Sequence, residues 1–193
     1  MDSDGTIQKK EIRRRGRLAR RELESRETRS RQIAQRIASL QAYQDANAVC
    51  CYVHSQFEVQ TLDIIRDRLR NNQATFVPYC DGDQLRLFPL EEIEQLEIGR
   101  FGILEPLASL RSEATPVDVN NIAVYLVPGV AFDQKCHRIG QGAGFYDRLL
   151  VQLSGKTIIG LAFDCQVFPE ITAQQHDIPM DFVVTESQVI RQS

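Results

Sequence analysis

Two hydrophobic spacings alternate along this chain, one helical and one strand-like, and they predict helices and strands in turn. Ile12, Leu18 and Leu23 sit among long charged side chains of high helix propensity, which predicts a helix from Ile7 to about Glu24 with Gly16 as its weak point. Ser25 to Thr28 is a break and a cap candidate. Thr28 to Leu40 then makes a second helix, with Ile33, Ile37 and Leu40 on one stripe. Ala46 to Val53 reads as a buried strand, and His54 to Glu58 as the loop at its C-terminal end. Thr61 caps a helix through Leu69, with Leu62, Ile65 and Leu69 facing in. Ala74 to Pro78 is a short strand, and Asp81-Gly82 is a hairpin signal across which Leu85 to Phe88 pairs back. Glu91 to Arg100 is too acidic and too poor in apolar residues to place. Gly102 to Pro106, with the polar stretch to Asn121, reads as loop. Ile122 to Val127 and Thr157 to Phe163 are buried strands, and Tyr146 to Leu153 is helical. Phe168-Pro169 opens a connection through His176-Asp177, and Phe182 to Thr185 is a last short strand. Strands alternating with helices over most of the length predict an α/β class, with helices on both faces of a mainly parallel sheet and an antiparallel hairpin addition.

Composition narrows this only slightly. A chain of 193 residues is expected to form one domain with a proper core, and 42% hydrophobic with 25% charged residues is ordinary for a soluble globular protein. No apolar run approaches a membrane span, so no membrane partner is expected. Five cysteines, odd in number and without zinc spacing, read as reduced thiols in a cytoplasmic protein. Cys50 and Cys51 share a predicted strand and are expected to face opposite ways. Charge is uneven: residues 1–40 form a basic helical arm with 12 Lys/Arg against 6 Asp/Glu, out of chain totals of 23 and 26. A solvated helix face, a nucleotide-phosphate contact or a nucleic-acid patch all fit that arm, but it has no aromatic residue to stack a base.

The chemistry gathers at His137-Arg138-Ile139-Gly140-Gln141-Gly142-Ala143-Gly144-Phe145-Tyr146-Asp147-Arg148, between a predicted strand and a predicted helix. Alternating glycines leave a bare backbone, and amide N–H groups beside a helix N-terminus suit a phosphate. Arg138 adds a cationic fork and Asp147 a carboxylate for a magnesium ion. The run is neither a P-loop nor the dinucleotide fingerprint, which needs glycine where Phe145 stands. A tight connection against a packed neighbour is the plainer alternative. Asp147 also fits a helix N-terminal acid, worth ~0.3–1 kcal/mol. Asp177 fits a turn, Glu58 a surface charge and Tyr146 a core aromatic. Lys9 and Arg13 lie one helical turn apart on a face that suits either phosphate or solvent.

Val127-Pro-Gly-Val-Ala-Phe-Asp133, followed by Arg138 to Asp147, resembles the signature of the 5-formyltetrahydrofolate cyclo-ligase (methenyltetrahydrofolate synthetase) family. Lys9-Lys10-Glu11-Ile12-Arg13, Glu58, Gly102-Ile103 with Glu105-Pro106, His176-Asp177 and Thr185 resemble its shorter motifs. The resemblance implies a three-layer α/β/α sandwich. It also implies ATP- and Mg2+-dependent closure of 5-formyltetrahydrofolate, possible as a polyglutamate, to 5,10-methenyltetrahydrofolate. On that resemblance Lys9, Lys10, Arg13, Arg138 and the run Ile139, Gly140, Gln141, Gly142, Ala143, Gly144, Phe145 and Tyr146 meet ATP. Val53, Glu58, Gly142 and Tyr146 meet the folate, Asp147 and Asp177 hold magnesium, and Arg138 and Tyr146 are the catalytic candidates. Cys136, where glycine is common, Gln141 and Ala143 depart from the family pattern; Ala143 is expected to tune ATP affinity. A monomer or weak dimer without nucleic acid is expected. A non-catalytic nucleotide- or folate-binding homologue and an RNA-associated module are the alternatives.

Overall fold

A computed structural model describes residues 3–99, 102–174 and 177–192, so the expectations placed on His176 and Arg100 lie outside the described residues. The chain runs α1 (Ser3–Glu22), α2 (Arg26–Ala38), α3 (Gln41–Gln44), β1 (Ala48–Cys51), α4 (Leu62–Arg70), β2 (Ala74–Asp81) and β3 (Gln84–Leu90). It continues through β4 (Leu96–Ile98), β5 (Leu104–Pro106), α5 (Ala108–Glu113), β6 (Val124–Pro128), β7 (Ala131–Asp133), β8 (Arg138–Ile139) and α6 (Phe145–Leu150). β9 (Thr157–Leu161), β10 (Val167–Phe168), β11 (Phe182–Val184) and β12 (Val189–Arg191) complete it.

Continuous apolar runs make the central sheet because both of its faces are covered. Five strands lie parallel in the order β2-β1-β6-β9-β11, and an antiparallel strand closes each edge, β3 beside β2 and β12 beside β11. All four residues of β1 are buried. Cys51 enters a core with Ile33 and Ile37 of α2 and Ile65 of α4; Cys50 enters the opposite core with Leu149 and Leu150 of α6. The expected opposition of the two cysteines and the three layers therefore hold. A smaller sheet, β10-β7-β8, carries α1: Ile12 packs with Ala131, Ile139, Phe168 and Ile171. Between β2 and β3, Gly82 at φ +61° takes the first position of a two-residue turn, and Asp81 pairs with Gln84.

Several local expectations need correction. Ser25 precedes α2 in a left-handed conformation at φ 55° and makes no side-chain cap. Thr61 precedes α4, but its hydroxyl donates to the Tyr52 carbonyl (2.6 Å) rather than capping, while its N–H reaches His54 Nδ1 (3.1 Å). The buried residues of α4 are Ile64, Ile65 and Arg68, whereas Leu62 and Leu69 are half-buried, because Arg68 is drawn inward to the Ala74 carbonyl and over the Tyr43 ring. The stretch expected to be loop between 102 and 121 contains β5 and α5, and the unplaced acidic segment supplies β4, which pairs antiparallel with β5. The expected final strand is followed by β12 at the sheet edge. The long strands shorten at their ends, as for β1, which spans 48–51 rather than 46–53. Gly16 lies inside α1, and a Cβ there would stand 2.5 Å from the Val130 carbonyl oxygen.

Candidate active site

Among the parallel strands, chain order is interrupted between β1 and β6: the chain leaves β1 toward β2 on one side and returns to β6 on the other. The crevice outside the carboxyl ends of such a pair is where open α/β sheets receive ligands. Here it is a cleft of about 450 Å³, lined by Tyr52 and Val53 beyond β1, Glu58 in the following loop, and Pro128 and Gly129 from β6. The hairpin contributes Pro78 and Tyr79, the β4–β5 region Ile103, and the loop from Gly140 to Gly144 with Phe145, Tyr146 and Asp147 closes the other wall.

Glycine is required in that loop for distinct reasons. Gly142 and Gly144 have φ of +105° and +73°, a region costly for residues with a Cβ. Gly140 has to pass the Arg138 guanidinium, whose Nη1 would stand 2.9 Å from an added Cβ. Arg138 itself is buried; Nη1 donates to the Pro128 carbonyl (3.1 Å), Nη2 pairs with Asp147, and the cation lies 5.6 Å from the centre of the Tyr146 ring. Burial pulls the Arg138 pKa down, and the Asp147 charge opposes that shift. Burial likewise pushes the Tyr146 and Tyr52 phenols well above their ordinary range, so both stay protonated donors. The carboxylate of Asp147 remains mostly exposed, at 60%.

Upstream of the loop, Asp133 has no exposed surface and builds the turn that delivers it. Its Oδ1 accepts the Lys135 and His137 N–H groups (2.9 and 2.8 Å), and its Oδ2 accepts Ile171 N–H (2.8 Å) and faces His137 Nδ1 (3.0 Å). Cys136 in that turn has φ +63°, which is the physical reason a glycine suits the position; burial raises its thiol pKa to about 11.

One face of α1 lies along the loop. Lys9 pairs with Asp177 and also donates to Gln174 Oε1 (3.2 Å); Arg13 Nε donates to the Gly140 carbonyl (2.9 Å). Arg17 holds Gln141 twice, at its carbonyl (2.7 Å) and its side-chain oxygen (3.2 Å). Arg20, at 5% exposure, reaches the Gly129 carbonyl (3.3 Å) and Glu58 (3.6 Å). Glu58 in turn accepts Ser55 N–H (3.0 Å). Lys10 and Ala143 are exposed. The sequence reading therefore names residues that do converge: Val53, Glu58, Arg138, Tyr146 and Asp147 line one cleft, Arg13 holds its loop, and Lys9 and Asp177 pair with one another. It missed Arg17, which continues the spacing of Lys9 and Arg13 and was legible from it, and Arg20 further along, whose partners only the fold supplies. It also missed Arg148, whose guanidinium bridges the Ala143 carbonyl (3.2 Å) and the Asp83 carbonyl and covers Phe145. Tyr79 carried no signal, because its approach to the cleft depends on the hairpin, and Ile103 was named in a short motif without a role, which only the placing of β4 and β5 beside the cleft gives it. Among the described residues no group of three His, Cys, Asp or Glu side chains is placed to hold a metal ion alone.

Fold and site together define a doubly wound α/β protein with a cation-flanked glycine loop over its switch-point cleft. The chain belongs to the 5-formyltetrahydrofolate cyclo-ligase family, whose family model matches residues 5–186. The solved 5,10-methenyltetrahydrofolate synthetase of Aquifex aeolicus is similar with a TM-score of 0.82 and 31% identity, over 95% of this chain and 92% of that one. A probable 5-formyltetrahydrofolate cyclo-ligase of Schizosaccharomyces pombe is 28% identical over 174 residues, covering 82% of this chain and 84% of the relative. The mouse 5-formyltetrahydrofolate cyclo-ligase is 29% identical over 165 residues, covering 80% of each. No helix among the described residues is long and apolar enough to cross a membrane.

Proposed function

We propose that this protein closes 5-formyltetrahydrofolate to 5,10-methenyltetrahydrofolate with ATP, releasing ADP and phosphate. The observation that carries the reading is the buried Arg138, held against Tyr146 at the junction of the glycine loop and the apolar switch-point cleft. A triphosphate suits the loop side, where Arg13, Arg17 and Arg148 hold the loop carbonyls and Arg138 lies behind Gly140, so the cations surround a glycine backbone. A flat pterin fits the side of Tyr52, Val53 and Glu58, where one carboxylate in apolar surroundings matches a ring edge bearing adjacent N–H donors.

The formyl group is amide-like and a poor electrophile. Its oxygen attacks the γ-phosphorus of ATP and ADP leaves, giving an imidate phosphate. The anilino nitrogen then adds to the formyl carbon and gives up its proton, and inorganic phosphate departs with the former carbonyl oxygen. Such transfer asks the protein for alignment and charge neutralisation, not a covalent nucleophile. Arg138 supplies a fixed fork at the transferring group, and Tyr146, a protonated phenol, stands beside both ligands. Asp147 and Asp177 suit magnesium, a hard cation that takes one or two carboxylates along with phosphate oxygens and water rather than an all-protein cage. Such an ion would supply neutralisation of phosphate charge; in this structure the same carboxylates balance Arg138 and Lys9. Mixing the purified protein with 5-formyltetrahydrofolate and following methenyl absorbance tests the reading: the signal should rise with Mg-ATP and stay flat without it. A flat trace in both leaves a binding homologue.

A further inference from the structure

A guanidinium is expensive to bury, and Arg20 is buried on the one face of α1 that has no need of a charge to pack. Gly16, one turn earlier, brings the helix backbone against Val130, and the helix therefore delivers position 20 into the carboxyl end of the sheet. There Arg20 bridges the two sides of the cleft, the Gly129 carbonyl after β6 and the Glu58 carboxylate after β1. The Gly129 carbonyl is also held by Gln166 Nε2 (2.9 Å), so Arg20 hangs from a fixed point. Glu58 has its second oxygen on Ser55 N–H, which leaves the Arg20 contact to set which way the first oxygen faces.

We propose that Arg20 is a positioning residue for the folate: it aims the Glu58 carboxylate into the cleft without itself touching substrate. This rests on the functional reading above, in which Glu58 receives the N–H edge of the pterin. Arg20 makes both contacts through Nη1, a hydrogen bond to the Gly129 carbonyl (3.3 Å) and an ion pair with Glu58 (3.6 Å), so the anchored end of the guanidinium is also the end that faces the carboxylate.

The test is a double-mutant cycle on the full-length protein, with binding of 5-formyltetrahydrofolate measured by calorimetry without nucleotide. Arg20→Gln should weaken binding roughly tenfold, with KM for ATP little changed and Arg20→Lys recovering part of the loss. Arg20→Gln combined with Glu58→Gln should bind no worse than Glu58→Gln alone. Additive losses, or losses shared equally between folate and ATP, would reduce Arg20 to a scaffold residue and overturn the proposal. Wild-type protein that binds, with an Arg20→Gln variant that binds as well, overturns it alone. Wild-type protein that leaves 5-formyltetrahydrofolate unbound overturns the functional reading and this assignment with it. If Arg20→Gln does not fold, the cycle built on Arg20→Lys and Glu58→Gln decides by the same additivity criterion.

Discussion

Arg138 concentrates the site into one side chain. Its fork is divided between the Pro128 carbonyl and Asp147 and its plane lies over Tyr146, so a point charge on a flexible stem cannot replace it. Arg138→Ala is expected to weaken ATP binding by about 1.5–3 kcal/mol, the worth of a charge-assisted hydrogen bond, and Arg138→Lys to recover only a minor part; titration with Mg-ATP reads both. His54 plays a different part. Its Nδ1 accepts the Thr61 N–H and therefore needs to be neutral, and burial lowers its pKa below 6.5, against smaller opposing effects of Glu58 and Asp63. The stability this ring contributes is complete above pH 6.5 and is lost as pH falls through the depressed folded value, because the unfolded chain takes up the proton first. An NMR titration of the ring should give a midpoint under 6.5, and a midpoint above it would contradict the assignment of Nδ1 as acceptor.

At the scale of elements, α1 is the piece whose sequence and position disagree most usefully. Gly16 ought to weaken a helix by about 1 kcal/mol relative to alanine, and replacing it ought to help. Contact with Val130 reverses the expectation, since an added Cβ would stand 2.5 Å from a carbonyl oxygen that Gln166 Nε2 already holds (3.0 Å). Gly16→Ala should push α1 outward, lowering the melting temperature and weakening Mg-ATP binding together, because Lys9 and Arg13 ride on the same helix. A gain in melting temperature would show that the helix docks elsewhere. The same position shows where sequence reading stops. Periodicity located α1, α2 and the buried strands, since an apolar stripe or run is a local property. Among the missed strands, β4 and β5 are short and half-polar, and only their pairing to one another makes them strands. Likewise the glycine loop, Arg138 and Asp147 were legible as a motif, whereas Arg20 is meaningful only once Gly129 and Glu58 lie in front of it.

On the scale of the molecule, the two halves of the site draw on different supports. The cleft floor belongs to the central sheet, and neither of the two large cores that cover the sheet includes a buried residue of α1. The cationic rail over the loop belongs to α1, which is anchored on the small sheet through Ile12. A chain beginning at Leu23 should therefore unfold cooperatively at a lower temperature, with Ala131, Ile139, Phe168 and Ile171 newly uncovered, yet keep its sheet. What it loses is the linkage between nucleotide and stability. A ligand that binds only the folded state at 100 times its Kd stabilises by about 2.7 kcal/mol. Full-length protein saturated with Mg-ATP should show a rise in melting temperature of that origin, and the shortened chain little or none. An equal rise in both would place the triphosphate wholly on the glycine loop and Arg138, and would leave Lys9 and Arg13 as a solvated helix face.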